Sequence, residues 1–134
     1  SYFALKYPKS LDRFDFSYKL VSGMSLEDGA ATLTALVAAA VSKSLDLLPL
    51  RPTQLIVSGG GRKNTTMIRE ISTRANVEVI NADQYKWRGD AIEAECFAFL
   101  AARSLANLPI SYPTTTGVFK PMTGGIIAHK RSKD

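Results

Sequence analysis

The segment LIVSGGGRKNTT, Leu55 to Thr66, decides the fold. Leu55, Ile56 and Val57 suit a buried strand. Three successive glycines, Gly59, Gly60 and Gly61, break it, because glycine weakens a strand interior. Asn64 then stands where a side-chain oxygen can cap a helix. Strand, glycine turn and capped helix together open a βαβ unit. Without Cβ atoms the backbone of such a turn can take positive φ and admit a ligand to contact distance. The N–H groups at the start of the helix favour an anion. Crevices at the carboxyl ends of parallel strands are the usual ligand sites of open α/β sheets. A purely steric turn, with the helix packed close on the strand, satisfies the same glycines.

Working outward, Pro49 and Pro52 precede a strand expected over Thr53 to Ser58. Its continuous apolar run predicts a central parallel strand covered on both faces. The helix capped by Asn64 should run to Arg74 or Ala75. VEVI, Val77 to Ile80, reads as the second strand of a right-handed crossover. Upstream, SLED, Ser25 to Asp28, resembles a capping box with Asp in place of Glu. It predicts a long helix from about Leu26 to Leu47, with Leu26, Ala30, Leu33, Val37, Ala40, Val41 and Ser44 on one face. The middle of that helix is apolar nearly all round, which predicts that it is sandwiched. Downstream of the loop NADQYKWRG, a third helix is expected from about Asp90 to Asn107, again packed between two layers. Cys96 within it reads as a buried thiol. Residues 1–23 read as loop with a short helix. From Leu108 onward, prolines and glycines predict ordered loop, with GGIIA, Gly124 to Ala128, as a short strand.

A length of 134 residues suffices for a single compact domain spanning 1–134. With 46% apolar and 22% charged residues, the composition is that of a soluble globular protein. A net charge of +5 suits an anionic ligand, but the cations are scattered. The dense run HKRSKD, His129 to Asp134, reads as a solvated terminus. Zinc-finger spacing and an aromatic platform are both missing, so nucleic acid is not expected as a partner. One cysteine excludes an internal disulfide and fits a reducing compartment. The longest apolar run, Ala30 to Val41, falls well short of the roughly 20 residues of a membrane span. The chain starts at Ser1 without a methionine and enters apolar sequence at once, which predicts a piece of a longer protein.

Several phosphate motifs fail on spacing. A Walker A loop needs Gly, four residues, then Gly-Lys-Ser/Thr, but Lys63 follows Arg62 here. The dinucleotide fingerprint Gly-x-Gly-x-x-Gly is met at Gly59 and Gly61 and fails at Asn64. Asp83 stands about 20 residues further on, where a ribose-binding acid would lie, so a Rossmann-like dinucleotide domain is an alternative. Glu93 and Glu95 project roughly 200° apart on a helix and cannot act as a paired acid and base. Either one of them faces a cleft or a cation, or both sit in an exposed first turn that favours acids. Lys9, Ser10 and Arg13 in PKSLDR suit a phosphate, and equally a solvated turn.

Taken in order, PKSLDRFDF, MSLEDGAATLTALVAAAV, LIVSGGGRKN, DAIEAECFAFLAARSL and LPISYPTTTG resemble the C-terminal part of anhydro-N-acetylmuramic acid kinase. The resemblance covers the chain from about Tyr2 to Gly125. It implies a ribonuclease-H-like, actin-like ATPase lobe: a parallel βαβ unit flanked by long buried helices, belonging to a longer two-lobe sugar kinase. It also implies ATP and Mg²⁺ as cofactors, phosphorylation of 1,6-anhydro-N-acetylmuramic acid at O6 with hydrolytic ring opening, a place in peptidoglycan recycling, a cytoplasmic location and a homodimer. The glycines Gly59, Gly60 and Gly61 then contact the nucleotide, Asn64 opens the helix beyond them, and Glu93 points to the sugar. Lys9, Ser10 and Arg13 fall on the nucleotide side, where Leu11, Asp12 and Phe14 depart from the family's pattern. Arg62 and Lys63 are expected to face solvent. The aspartate that activates water is expected outside this segment, so no residue here is assigned as catalytic and none as a metal ligand. A non-catalytic nucleotide- or sugar-binding module of the same superfamily is the other reading.

Overall fold

A computed structural model describes residues 2–6 and 9–128, with the side chain of Arg13 left out; the basic tail from His129 lies outside the described residues. The chain forms two compact units, one built mainly from Lys9–Ile92 and the other mainly from Glu93 onward. Among the described residues no helix is long and apolar enough to cross a membrane.

In the first unit, helix α1 runs Leu26–Leu45. Ser25 caps it, its Oγ accepting from the Asp28 N–H at 3.0 Å, and Glu27 and Asp28 favour the positive end of the helix. The helix stops two residues short of the expected end. Its buried residues also differ from the face read in the sequence: Ala38 and Leu45 share one side, while Gly29 lies on the opposite side against Val21. The small Ala38 suits a close approach of helix α2, Thr65–Ala75; Ser42 Oγ, one turn further on, reaches the Arg74 carbonyl at 3.0 Å. Larger apolar residues such as Leu26 and Val37 stay exposed, so α1 is not sandwiched within this unit.

Strands β1, Gln54–Val57, and β2, Glu78–Asn81, pair in parallel, with Leu55 opposite Val79 and Ile56 opposite Ile80. Helix α2 crosses between them. The crossover read from the sequence is therefore present, in an α/β unit whose described sheet has two strands. Leu55 and Val79 pack against a core of Leu45, Ala75 and Val77. Ile56 on the opposite face is exposed, so β1 is covered on one face and not, as expected, on both. Burying each large aliphatic side chain contributes about 1.5–3 kcal/mol, which makes the Leu45 cluster the main anchor of the unit. Asn76 ends α2 in the left-handed region at φ 49°, a conformation asparagine tolerates. The described residues among 2–21 hold three short 3₁₀ turns, Tyr2–Ala4, Arg13–Asp15 and Tyr18–Val21.

The second unit is built on helix α3, Ile92–Leu105. Arg103 anchors the following chain, donating from Nε to the Pro109 carbonyl at 2.6 Å and from Nη2 to Tyr112 Oη at 2.7 Å. A single turn of helix, α4, follows at Pro113–Thr116. An antiparallel bridge joins Ser111 to Met122, and the strand expected over Gly124 to Ala128 does not form. Gly125 takes φ +95° there, outside strand geometry. None of the residues of α3 is buried. Cys96 is exposed, contrary to the reading of a core thiol, and Phe97 and Phe99 are more than half exposed. Apolar periodicity marked this helix correctly but not the packing on its faces.

Candidate functional site

The glycine turn lies directly beyond the carboxyl end of β1. Gly59 has φ 74° and ψ −175°, a region that essentially glycine alone occupies. A 3₁₀ turn, Gly60–Lys63, follows, and Asn64 begins α2. Asn64 Oδ1 accepts from the Met67 N–H at 3.0 Å, the cap anticipated from the sequence. A Cβ placed on Gly59 or Gly60 would meet nothing within 4 Å, whereas one on Gly61 would come 2.8 Å from the Met67 methyl. The backbone at Gly59 and Gly60 is thus open to an approaching molecule. The residues Gly59, Gly60, Gly61 and Asn64 come together as one surface.

Arg62 overturns its expected role. It is buried at 8% exposure and points inward. Its Nη1 donates to the Gly59 carbonyl at 2.8 Å and to Asp90 Oδ1 at 2.6 Å, and its Nε donates to Asp83 Oδ2 at 2.9 Å. Buried guanidinium groups require such pairing, because an uncompensated charge away from water is costly. Lys63 is exposed, as expected, and pairs with Asp90 Oδ2 at 2.8 Å. The hydrogen bond from Arg62 chiefly, and then that from Lys63, hold the Asp90 carboxyl well below the usual carboxylate range. Asp83 is lowered first by Arg62 and next by the Gly89 N–H. Asp90, then Asp83, raise Arg62 further above its already high value. All three groups stay charged across the physiological range.

The same geometry bears on the dinucleotide alternative. Asp83 Oδ2 is taken by Arg62 and Oδ1 by the Gly89 N–H at 3.1 Å. Both oxygens serve the loop, which gives Asp83 a structural role here. The remaining candidates separate. Lys9 sits on the N-terminal turn, its Nζ donating to the carbonyls of Tyr2, Phe3 and Leu5 at 3.2–3.3 Å and lying 4.9 Å from the Tyr2 ring centroid. Ser10 is exposed. Glu93 belongs to the second unit, in the exposed first turn of α3 with Glu95. Sequence reading missed Gly89 and Asp90. The available signal was the pair of acids in NADQYKWRGD, facing an arginine placed directly after three glycines.

Comparison with known proteins settles the family. The model of anhydro-N-acetylmuramic acid kinase matches residues 1–130. The chain belongs to the anhydro-N-acetylmuramic acid kinase family. It is 60% identical over 127 residues to the anhydro-N-acetylmuramic acid kinase of Rhizobium rhizogenes, covering 95% of this chain and 34% of that protein. The family member from Mesorhizobium japonicum is 58% identical over 127 residues, with the same coverage. That from Brucella anthropi is 59% identical over 124 residues, or 92% of this chain and 33% of the relative. The chain therefore spans about a third of the length of the curated relatives it matches. That share is a length, and it does not bear out the C-terminal placement expected above.

Proposed function

We propose that this chain supplies the nucleotide-binding, ribonuclease-H-like lobe of a two-lobe, ATP-dependent kinase in peptidoglycan recycling. Its substrate would be 1,6-anhydro-N-acetylmuramic acid, phosphorylated at O6 as water opens the anhydro ring to give N-acetylmuramic acid 6-phosphate. The observation that carries this reading is the family match over residues 1–130. The open surface at Gly59 and Gly60 supports it, because a nucleoside can come to contact distance where no Cβ stands. ATP supplies the phosphoryl group when bound. In this reading Gly59, Gly60 and Gly61 lie against the nucleoside, Asn64 holds the start of α2 in place beside them, and Glu93 serves the sugar. Ser10 is the phosphate-side candidate of its loop, while the Lys9 ammonium is already engaged by main-chain carbonyls. Among the described residues no three His, Cys, Asp or Glu side chains gather as metal ligands; the Mg²⁺ that accompanies ATP is held mostly by phosphate oxygens and water. A cytoplasmic location and a homodimer belong to the same reading.

Phosphoryl transfer depends on positioning and charge stabilisation from both sides of a cleft. A segment a third as long as its relatives is therefore expected to be inactive alone. Coupled ADP release, measured on the full-length protein with 1,6-anhydro-N-acetylmuramic acid, tests the reading. ADP release that depends on the sugar is expected; none above background with either substrate omitted or present would overturn it. Turnover by the 134-residue chain alone at the full-length rate would contradict its role as one lobe.

A further inference from the structure

We propose that Arg62 is a positioning residue for the nucleotide site, a buried latch that ties the glycine turn to the loop at Asp83–Asp90 and fixes where the open backbone of Gly59 and Gly60 stands. The proposal rests on the reading of the turn as a nucleotide contact. Its basis is a closed ring of hydrogen bonds. The Gly59 N–H donates to the Gly89 carbonyl at 2.8 Å. The Gly89 N–H donates to Asp83 Oδ1 at 3.1 Å, Asp83 Oδ2 accepts from Arg62 Nε at 2.9 Å, and Arg62 Nη1 returns to the Gly59 carbonyl at 2.8 Å. Both main-chain polar groups of Gly59 thus belong to the ring, and Asp90 braces it from outside through Arg62 Nη1.

Two features show that the ring is built for a guanidinium. A Cβ on Gly89 would lie 2.7 Å from both Arg62 Cζ and Asp83 Oδ1, so glycine at 89 is what gives Arg62 its berth. The fork of Arg62 also reaches three acceptors at once, which the single ammonium nitrogen of lysine cannot span. Arg62 and Gly89 are buried, while the Asp83 carboxylate that joins them is half-exposed. Without the latch, the turn would keep its glycines and lose its fixed height, and small displacements of a binding surface weaken binding disproportionately.

The test uses Arg62→Met, Arg62→Lys and Asp90→Asn in the full-length protein, measuring KM for ATP, KM for 1,6-anhydro-N-acetylmuramic acid, kcat, and amide hydrogen exchange over residues 59–64. For Arg62→Met we expect a rise of about tenfold in the KM for ATP, a sugar KM within about twofold of wild type, and faster exchange at the Gly59 and Arg62 amides. Arg62→Lys should recover part of the ATP KM. An ATP KM unchanged in Arg62→Met, even with faster exchange, would reduce Arg62 to a structural residue and overturn the proposal. If Arg62→Met does not fold, Asp90→Asn decides, since it changes an exposed carboxylate and keeps the Asp83 pair; a selective rise in ATP KM supports the latch and an unchanged one overturns it. Absence of turnover by the wild type would sink the kinase reading instead. The latch would then be read from binding of a non-hydrolysable ATP analogue, standing on selectively weaker binding by Arg62→Met and falling on unchanged binding.

Discussion

Replacing Gly59 and Gly60 one at a time separates a glycine required by the fold from a glycine left for a ligand. Gly59 sits at φ 74° and ψ −175°, where a residue with a Cβ costs about 1–3 kcal/mol. Its N–H and carbonyl are also both bonded to other loop atoms, so the turn cannot relax without breaking those bonds. Gly60 does not have positive φ, and a Cβ there would meet nothing within 4 Å. Gly59→Ala should therefore lose about 2 kcal/mol, and Gly60→Ala should stay within about 0.5 kcal/mol of wild type. With an m-value of about 2 kcal/mol per molar urea, the first change lowers the unfolding midpoint by about 1 M and the second leaves it in place. Equilibrium urea unfolding followed by far-ultraviolet circular dichroism measures both. Equal midpoints for the two alanine variants would refute the conformational argument, as would a Gly60→Ala loss as large as that at Gly59.

Three further outcomes follow from the structure. Asn64→Ala removes the cap on α2 and should cost about 1 kcal/mol in the same assay, with Asn64→Asp retaining most of the stability. Ala38→Leu forces a large side chain into the close contact of α1 with α2, where Ala38 is fully buried, and should destabilise by about 1–3 kcal/mol. The third concerns pH. Asp83 and Asp90 titrate lower in the folded protein than their ordinary value, so their contribution is complete above an unfolded value near 4 and is lost as pH falls through the folded values. The stability difference between wild type and Asp90→Asn should be constant from about pH 8 to 5 and shrink below about pH 4. A difference that grows on acidification would contradict the ion-pair assignment.

The parts of this molecule set by local chemistry were legible before the structure. Glycine conformational freedom, the Asn64 cap, the Ser25 cap and the apolar strands each act within a few residues, and each appears where expected. Arg62 was misread because its partners, Asp83 and Asp90, stand more than 20 residues away in a loop with no periodic signal. Its charge alone pointed to solvent, and the tertiary pairing reversed that. The packed face of α1 was misplaced for a related reason. Hydrophobic size favoured Leu33 and Val37, whereas the buried residues are Ala38, on the side of Ser42, and Gly29, against Val21. Cys96 and the phenylalanines of α3 show that an apolar pattern marks a helix without naming what covers it. Family membership became readable from motif order over the whole chain, a signal that no single residue carries.

The proposed nucleotide contact is the open glycine turn at Gly59 and Gly60. Isothermal titration of a non-hydrolysable ATP analogue into the full-length wild type and Gly60→Val tests it most directly, because Gly60 has room for a side chain within the fold itself. Binding by the wild type is expected, with affinity about tenfold or more weaker in Gly60→Val and an unfolding midpoint close to that of wild type. Equal affinities for the two proteins would contradict it.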